Sequence, residues 1–299
     1  MKTIAIIGMG ALGLLYGDML QSAASLGFIV DAERRARYAR EPILINGAPK
    51  AFSLLDAGTK DRPMDLVIFA VKGTGLDRAI EDAAGYIGPN TVLLSLLNGI
   101  SSEEILGRRF GFDHLIYCVA QGTDAVREKR ALRYTQKGHL CVGLPGGRTS
   151  PDLTALTALF DAAGVPYRVE PDIQHRIWSK FMLNVGLNQV VMVREGDYGS
   201  VQRPGPVREE MIAAMREVIA LSRLEGVPVT EADLAFYLDM IDTLSPDGMP
   251  SMRQDGLARR RSEVELFAGT VRRLAAKHGL AVPVNDRLYE AVRAMEAAY

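Results

Sequence analysis

Three polar side chains recur at intervals of four within a stretch in which nearly every other position is apolar, residues 177–190. They are Lys180, Asn184 and Asn188. Residues four apart share one face of an α-helix, so these side chains form a polar stripe on a helix that is otherwise apolar. Burying an ammonium or an amide without partners costs on the order of several kcal/mol, so the stripe is expected to face a polar cavity, a candidate active site. The alternative is that Lys180 extends to solvent and the asparagines bond neighbouring carbonyls.

A second polar group lies later in the chain. Residues 251–255 read Ser-Met-Arg-Gln-Asp, and Glu263 follows at the start of an amphipathic stretch. We expect one helix to carry both, with Ser251 near its start and Glu263 about three turns further on. Spacing alone favours an ordinary exposed helical glutamate at position 263.

Residues 8–13 form a GxGxxG pattern between an apolar β-run and a helical stretch. The six residues are Gly8, Met9, Gly10, Ala11, Leu12 and Gly13. Gly8 permits a tight turn, Gly10 lets a pyrophosphate approach the backbone, and Gly13 lets helix and strand pack closely. The helix N-terminus faces the phosphate charge. In this context the pattern predicts a dinucleotide-binding site in preference to an incidental glycine-rich turn.

The end of the second predicted strand gives conflicting indications about the nucleotide. Asp31 lies 18 positions after Gly13, close to the spacing of the acid that holds the ribose 2′-hydroxyl of NAD. Arg34 and Arg35 follow within one helical turn, and an arginine accommodates the 2′-phosphate of NADP. We predict NADP(H), and NAD(H) is the alternative that Asp31 supports.

Two further polar residues follow predicted strands. Lys72 comes directly after residues 66–71, and Asn98 with Gly99 follows residues 91–97. The carboxyl ends of parallel strands meet at one sheet edge, where a lysine can contact cofactor phosphate and an amide can bond the nicotinamide or the substrate. A solvated strand-end lysine and a plain Asn-Gly turn are the alternatives.

The elements that must hold these residues change in character along the chain. In the first half, helical stretches alternate with continuous apolar runs that are typical of buried parallel strands, over residues 3–8, 27–31, 66–71 and 91–97. Residues 131–135 and 139–143 show polar alternation, and we expect both to add antiparallel strands to one edge of the same sheet.

From residue 171 onward the spacing is helical, over residues 171–193, 206–226, 230–243, 253–278 and 285–297. The predicted fold is therefore α/β in two parts. A Rossmann-type dinucleotide-binding domain is expected over residues 1–170, and an all-α domain with the substrate and catalytic residues over residues 171–299.

The composition argues against several classes of protein. A net charge of -1 provides no field that would attract nucleic acid, and no apolar run approaches the roughly 20 residues of a membrane span. Cys118 and Cys141 lack CxxC spacing, so neither a disulfide framework nor a metal site is predicted. Residues 1–3 lead directly into a strand rather than a signal peptide, and we expect a cytoplasmic protein. The apolar helical domain suggests a homodimer.

Four motifs, in order along nearly the whole chain, resemble the ketopantoate reductase family, also called 2-dehydropantoate 2-reductases. They are GxGALG at residues 8–13, the strand-end NG at 98–99, KxxxNxxxN at 180–188, and SMxQD at 251–255 with Glu263 following. The last two are the more specific, because they match the pattern of the family's substrate site.

The resemblance implies a role for each of these residues. Lys180 would be the general acid that protonates the ketone oxygen, and Glu263 would position lysine and substrate. Binding of the substrate's carboxylate and hydroxyl is implied for Asn184, Asn188 and Ser251. Asn98 would lie between cofactor and substrate, and Arg34 would meet the 2′-phosphate; the glycine-rich turn and Lys72 complete the implied cofactor site.

The sequence also departs from the family pattern. Asp31 adds an acid where the family relies on arginine, Arg253 replaces a leucine, and residues 247–250 lack a polar residue that some members use to hold the substrate.

The predicted function is NADPH-dependent reduction of 2-dehydropantoate to (R)-pantoate, on the route to pantothenate and coenzyme A. Two alternatives stay open. The same scaffold could serve another bulky 2-oxo acid with NAD(H), or it could bind NADP(H) without turnover as a redox sensor.

Overall fold

A computed structural model describes residues 1–299 of the chain, and these divide into two compact units, Met1–Ile173 and Gln174–Tyr299. The boundary expected from sequence lies three residues before this division. Each unit is continuous in sequence.

The first unit is built on an eight-stranded sheet. Its strands, in spatial order, are β12 (Tyr167–Val169), β11 (Lys137–Gly143), β8 (Leu115–Thr123), β7 (Val92–Ser95), β6 (Leu66–Phe69), β1 (Thr3–Ile7), β2 (Ser25–Val30) and β5 (Ser53–Asp56). All neighbouring pairs are parallel except β8 with β11. The order reverses at β1, which has β2 on one side and β6 on the other, so a crevice opens at the carboxyl ends of β1 and β6.

Helices cover both faces of this sheet, as the continuous apolar strands require. They are α1 (Ala11–Leu20), α2 (Ala32–Arg40), α3 (Leu76–Ala83), α4 (Ser102–Phe110) and α5 (Pro151–Ala163). Ile6 and Ile68 point into one core with Leu14 and Phe160, whereas neighbouring strand residues point into a second core on the opposite face. This is the predicted α/β architecture with a parallel sheet.

A separate small sheet corrects one prediction. It contains β4 (Ala48–Lys50), β3 (Ile43–Ile45), β10 (Ala131–Arg133) and β9 (Val126–Glu128), in that order. Residues 139–143 do join the edge of the main sheet antiparallel to β8, but residues 131–133 pair with β3 and β9 instead. Polar alternation indicates a half-buried strand and does not reveal which sheet will accept it.

The second unit is helical, as predicted. Its α-helices are α6 (Ile173–Val193, which begins at the last residue of the first unit), α7 (Gly199–Gln202), α8 (Pro206–Leu224), α9 (Glu231–Asp242), α10 (Ser251–Leu257), α11 (Thr270–His278) and α12 (Pro283–Glu296). A π-helical turn, Glu265–Gly269, runs directly into α11. None of these helices combines the length and apolar character that a bilayer crossing requires.

The expectation of one helix carrying both Ser251 and Glu263 is wrong. Helix α10 ends at Leu257, and Arg259 adopts a left-handed conformation with φ of 47°. The amide of Arg260 returns to the carbonyl of Asp255, and its Nε donates to the Asp255 carboxylate at 3.0 Å. The chain thus turns between the two residues, and Glu263 precedes the π-helical turn on a separate element.

Candidate functional site

The glycine-rich turn joins β1 to α1 in a conformation that two of its glycines make possible. Gly8 has φ of 110°, and a Cβ there would lie 2.4 Å from the carbonyl oxygen of Ala70. A Cβ at Gly13 would lie 2.0 Å from the carbonyl oxygen of Gly8. Both positions are therefore closed to a side chain by backbone atoms of the protein itself.

Gly10 differs from the other two glycines. A Cβ at this position would meet only the carbonyl oxygen of Ala70, at the ordinary contact distance of 3.5 Å. Gly10 is also the N-cap of α1 and offers the helix no side-chain cap. The missing side chain thus leaves space beside the amides and the positive end of the helix dipole, an arrangement that fits the pyrophosphate of a dinucleotide.

Lys72 and Asn98 lie at the same edge of the main sheet as this turn. Lys72 is exposed and precedes a short 3₁₀ turn after β6, while the half-buried Asn98 follows β7. Gly99 has φ of 92°, so a turn does follow Asn98. Because β1, β6 and β7 are consecutive parallel strands, their carboxyl ends bring Gly8, Lys72 and Asn98 to neighbouring positions.

Asp31 has a structural role that sequence analysis missed. It is the N-cap of α2, where its Oδ1 accepts the amide of Arg34 at 2.7 Å. Arg35 is held at the sheet edge by the carbonyl of Leu54 at 2.9 Å and by Asp56 at 2.7 Å. The Arg34 guanidinium is exposed and lies 3.6 Å from the Asp31 carboxylate. Of the two arginines, Arg34 is therefore the more exposed.

Two cavities lie largely away from the predicted residues. One of about 480 Å³ is lined by residues of α8, the segment before α12 and the first turn of α12, and it includes none of the predicted site residues. Another of about 420 Å³ touches the glycine-rich turn only at Met9 and otherwise lies between α2 and residues 49–54. Neither coincides with the expected dinucleotide site, so the site rests on the turn and strand ends described above.

The polar stripe of the second unit is carried by α6. Lys180 is half-buried, while Asn184 and Asn188 are 8% and 5% exposed within a run of buried residues. The prediction of a largely buried helix that carries these three residues is confirmed, and the polar cavity that they are expected to face stays a prediction. Lys180 lies between Ser179 and Phe181, and Phe181 packs edge-on against Trp178 with ring centroids 5.8 Å apart.

Contacts within the second unit join α6 to the segment that carries Glu263. Phe181 of α6 lies 6.5 Å from Phe267 of the π-helical turn, measured between ring centroids. The buried Gln189 accepts the amide of Ala268 at 3.2 Å and donates to Asn285 of α12 at 3.3 Å. Gln189 was not singled out by sequence analysis, although it is a buried polar residue of α6 that lies off the stripe.

Hydrogen bonds hold the backbone of Glu263 and of the residue before it. Ser262 is buried, and both its amide and its hydroxyl donate to Glu296 of α12, at 2.7 and 2.6 Å. The Glu263 carbonyl accepts the amides of Leu266 and Phe267, at 2.9 and 3.1 Å. Glu263 itself is half-buried rather than exposed, which weakens the simpler interpretation that its spacing favoured.

Ser251 is the exposed first residue of α10. Arg253, one of the departures from the family pattern, donates to the carbonyl of Glu195 at 3.0 Å, and its guanidinium lies 3.7 Å from that glutamate's carboxylate. Arg253 therefore ties α10 to the turn that follows α6, and its presence has a structural explanation independent of any substrate.

Comparison with known proteins identifies the family. The family described as Ketopantoate reductase PanE/ApbA matches residues 4–146, and the one described as Ketopantoate reductase PanE/ApbA C terminal matches residues 172–296. The 2-dehydropantoate 2-reductases of Vibrio cholerae and Archaeoglobus fulgidus are each 24% identical over 99% of this chain and 98% of their own length.

Solved structures agree in fold. A PanE/ApbA family ketopantoate reductase from Ralstonia eutropha superposes with a TM-score of 0.86 at 25% identity, covering 99% of both chains. D-mandelate dehydrogenase, solved with NADH and anilino(oxo)acetate, gives a TM-score of 0.87 at 22% identity, covering 99% of this chain and 98% of its own. From these matches along nearly its whole length, the chain belongs to the ketopantoate reductase family, oxidoreductases that act on CH–OH groups.

Proposed function

We propose that this chain reduces 2-dehydropantoate to (R)-pantoate with NADPH, a step that leads to pantothenate and coenzyme A. The observation that carries the proposal is the Lys180, Asn184 and Asn188 stripe on α6, joined through Phe181 and Phe267 to the segment that holds Glu263. The names of the relatives and the family support the same reaction.

A bound reduced nicotinamide would supply a hydride to the carbonyl carbon of a 2-oxo acid. Residues 8–13 would bind its pyrophosphate, Arg34 its 2′-phosphate, and Lys72 and Asn98 would contact it from the neighbouring strand ends. We assign Met9, Ala11 and Leu12 to this site through their backbone, since they lie in the turn between the three glycines.

In the second unit, Lys180 would donate its proton to the ketone oxygen as the alkoxide develops. Glu263 would hold the lysine charged and oriented, because a nearby carboxylate favours the ammonium form. Asn184, Asn188 and Ser251 would bind the carboxylate and hydroxyl of the substrate, and we assign Asn98 to the substrate as well as to the cofactor.

The proposal is tested by following loss of reduced-nicotinamide absorbance with 2-dehydropantoate and a panel of other 2-oxo acids, each with NADPH and with NADH. We expect the highest kcat/KM for 2-dehydropantoate with NADPH.

Arg34→Ala should raise the KM for NADPH by about tenfold or more and leave the KM for NADH nearly unchanged, since a charged hydrogen bond is worth about 1.5–3 kcal/mol.

A second candidate is an NAD(H)-dependent reductase of another bulky 2-oxo acid. Asp31 motivates it, and the NADH complex of the structurally similar D-mandelate dehydrogenase provides a precedent on this fold. The role of Asp31 as a helix cap favours NADPH, because the acid has a local reason to be present. A preference for NADH with a different 2-oxo acid would establish this candidate instead.

We also propose a homodimer formed through the second unit. We expect the subunits to meet at Leu224, Phe236 and Leu257, which are large apolar side chains more than half exposed there. Light scattering should give about twice the chain mass of 32.6 kDa. A mass of one chain at micromolar concentration would reject the dimer.

A further inference from the structure

A buried carboxyl lies close to the strand end that carries Asn98. Glu103 is 3% exposed and belongs to the first turn of α4, five residues after Asn98. A fully buried glutamate is rare unless it has partners, and neither the fold nor the proposed reaction accounts for this one.

Glu103 ends a chain of buried hydrogen bonds that begins beside Asn98. The amide of Leu97 donates to the Ser95 hydroxyl at 3.2 Å, and the Ser95 hydroxyl donates to that of Ser102 at 2.8 Å. Ser102 in turn donates to Oε2 of Glu103 at 2.9 Å. Each donor thus points toward the carboxyl group, and the chain starts at the residue that directly precedes Asn98.

Burial raises the pKa of Glu103 to about 7, while hydrogen bonds from Ser102 and from the backbone of Glu103 and Cys118 act in the opposite direction. Tyr117 of β8 is the titratable side chain that faces it, and burial and the charges of Glu103 and Glu104 raise the pKa of that phenol. Glu104, the neighbour on α4, is exposed and pairs with Arg108. The facing groups provide no cation to stabilise an ionised Glu103.

A neutral glutamine would fill this position without the unfavourable burial of a charge. Stability of the fold therefore does not explain why this position carries a carboxyl group. Groups with perturbed pKa values are common at functional sites. The carboxylate is the strongest acceptor available to orient Ser102 and Ser95 toward itself.

We propose that Glu103 is a positioning residue that fixes the loop carrying Asn98, acting through Ser102 and Ser95. The proposal rests on the proposed function, in which Asn98 contacts both cofactor and substrate. The ionised carboxylate holds the chain of donors in one direction, and this fixes the Leu97 amide and the backbone from which Asn98 extends.

The test compares Glu103→Gln with the wild type in single-turnover reduction of 2-dehydropantoate by NADPH, at pH 6 and pH 8.5. At pH 6 the wild-type carboxyl is mostly neutral, like the glutamine, so the two rates should be nearly equal. At pH 8.5 it is ionised, and the wild type should be about tenfold faster, since small displacements of a positioning group reduce rates by such factors. Glu104→Gln, the matched control, should equal the wild type at both values.

A second measurement does not depend on turnover. Ser102→Ala keeps the carboxyl but removes the link to Ser95, and hydrogen exchange in the peptide 96–101 should become about fivefold faster, as expected for one weakened hydrogen bond. A wild-type to Glu103→Gln rate ratio that does not change with pH, or unchanged exchange in Ser102→Ala, would overturn the proposal. If the wild type turns over no 2-oxo acid, the proposed function fails, and the exchange rates alone decide whether Glu103 positions the loop.

Discussion

Lys180→Ala is expected to lower kcat for 2-dehydropantoate reduction by about 10³-fold, because a positioned general acid contributes about 10²–10⁴ to the rate. The reason lies in the placement of the lysine on α6. It is half-buried and is the one lysine of α6, so no other ammonium of that helix can replace it. The Kd for NADPH should stay within about threefold of the wild-type value, since cofactor contacts are assigned to the first unit.

Two further variants serve as controls for Lys180→Ala. The first separates loss of the proton from loss of the charge, and the second removes a lysine outside the proposed site. Lys180→Arg keeps a cation but cannot release its proton at neutral pH, so it should also be slow. Lys277→Ala removes a lysine of the same unit that is 60% exposed and pairs with Glu225, and kcat should be unchanged.

A Lys180→Ala enzyme with nearly full kcat would show that another group donates the proton. A wild-type protein that binds NADPH and reduces none of the 2-oxo acids would instead favour the redox-sensor alternative.

Gly13→Ala should lower the stability of the fold, whereas Gly10→Ala should weaken cofactor binding. In Gly13→Ala the new Cβ would lie 2.0 Å from the carbonyl oxygen of Gly8 and 3.2 Å from the Cβ of Ala70, which leaves little room for adjustment. We expect the free energy of unfolding to fall by about 3 kcal/mol or more, at the upper end of the range for overpacking.

Gly10→Ala should instead leave the free energy of unfolding nearly unchanged, because its Cβ meets the protein only at 3.5 Å. The methyl group would occupy the space that a pyrophosphate needs beside α1, so the Kd for NADPH should rise by at least about tenfold, or about 1.4 kcal/mol. Urea unfolding monitored by circular dichroism and cofactor titration by fluorescence measure the two quantities. Equal loss of stability in both variants, or unaltered NADPH binding in Gly10→Ala, would contradict the assignment of the turn.

Sequence alone predicted the parts of this protein that depend on periodicity and local backbone chemistry. The glycine-rich turn follows from a strand, a helix and the glycines between them, and the α6 stripe follows from a spacing of four. In both cases nearby residues determine the structure, so a short stretch of sequence contains the information.

Features that depend on distant partners could not be predicted in this way. The turn between Ser251 and Glu263 is closed by Arg260 on Asp255 and then anchored by Ser262 on Glu296, which is 34 residues away. Strand β10 pairs with β3, which lies far earlier in the chain. Asp31 carried a local signal, since an aspartate before a helix is a common N-cap, but its spacing from Gly13 suggested a ligand instead.

The three glycines of the turn are under different constraints, and this affects how the motif would change during evolution. Gly8 and Gly13 are required by atoms of the protein itself, whereas Gly10 is not. In a descendant that had lost its nucleotide, selection for folding would still preserve the first and third glycines, and the second could drift to alanine. Gly8 and Gly13 would then indicate common ancestry, and a glycine at position 10 would indicate that a nucleotide is still bound.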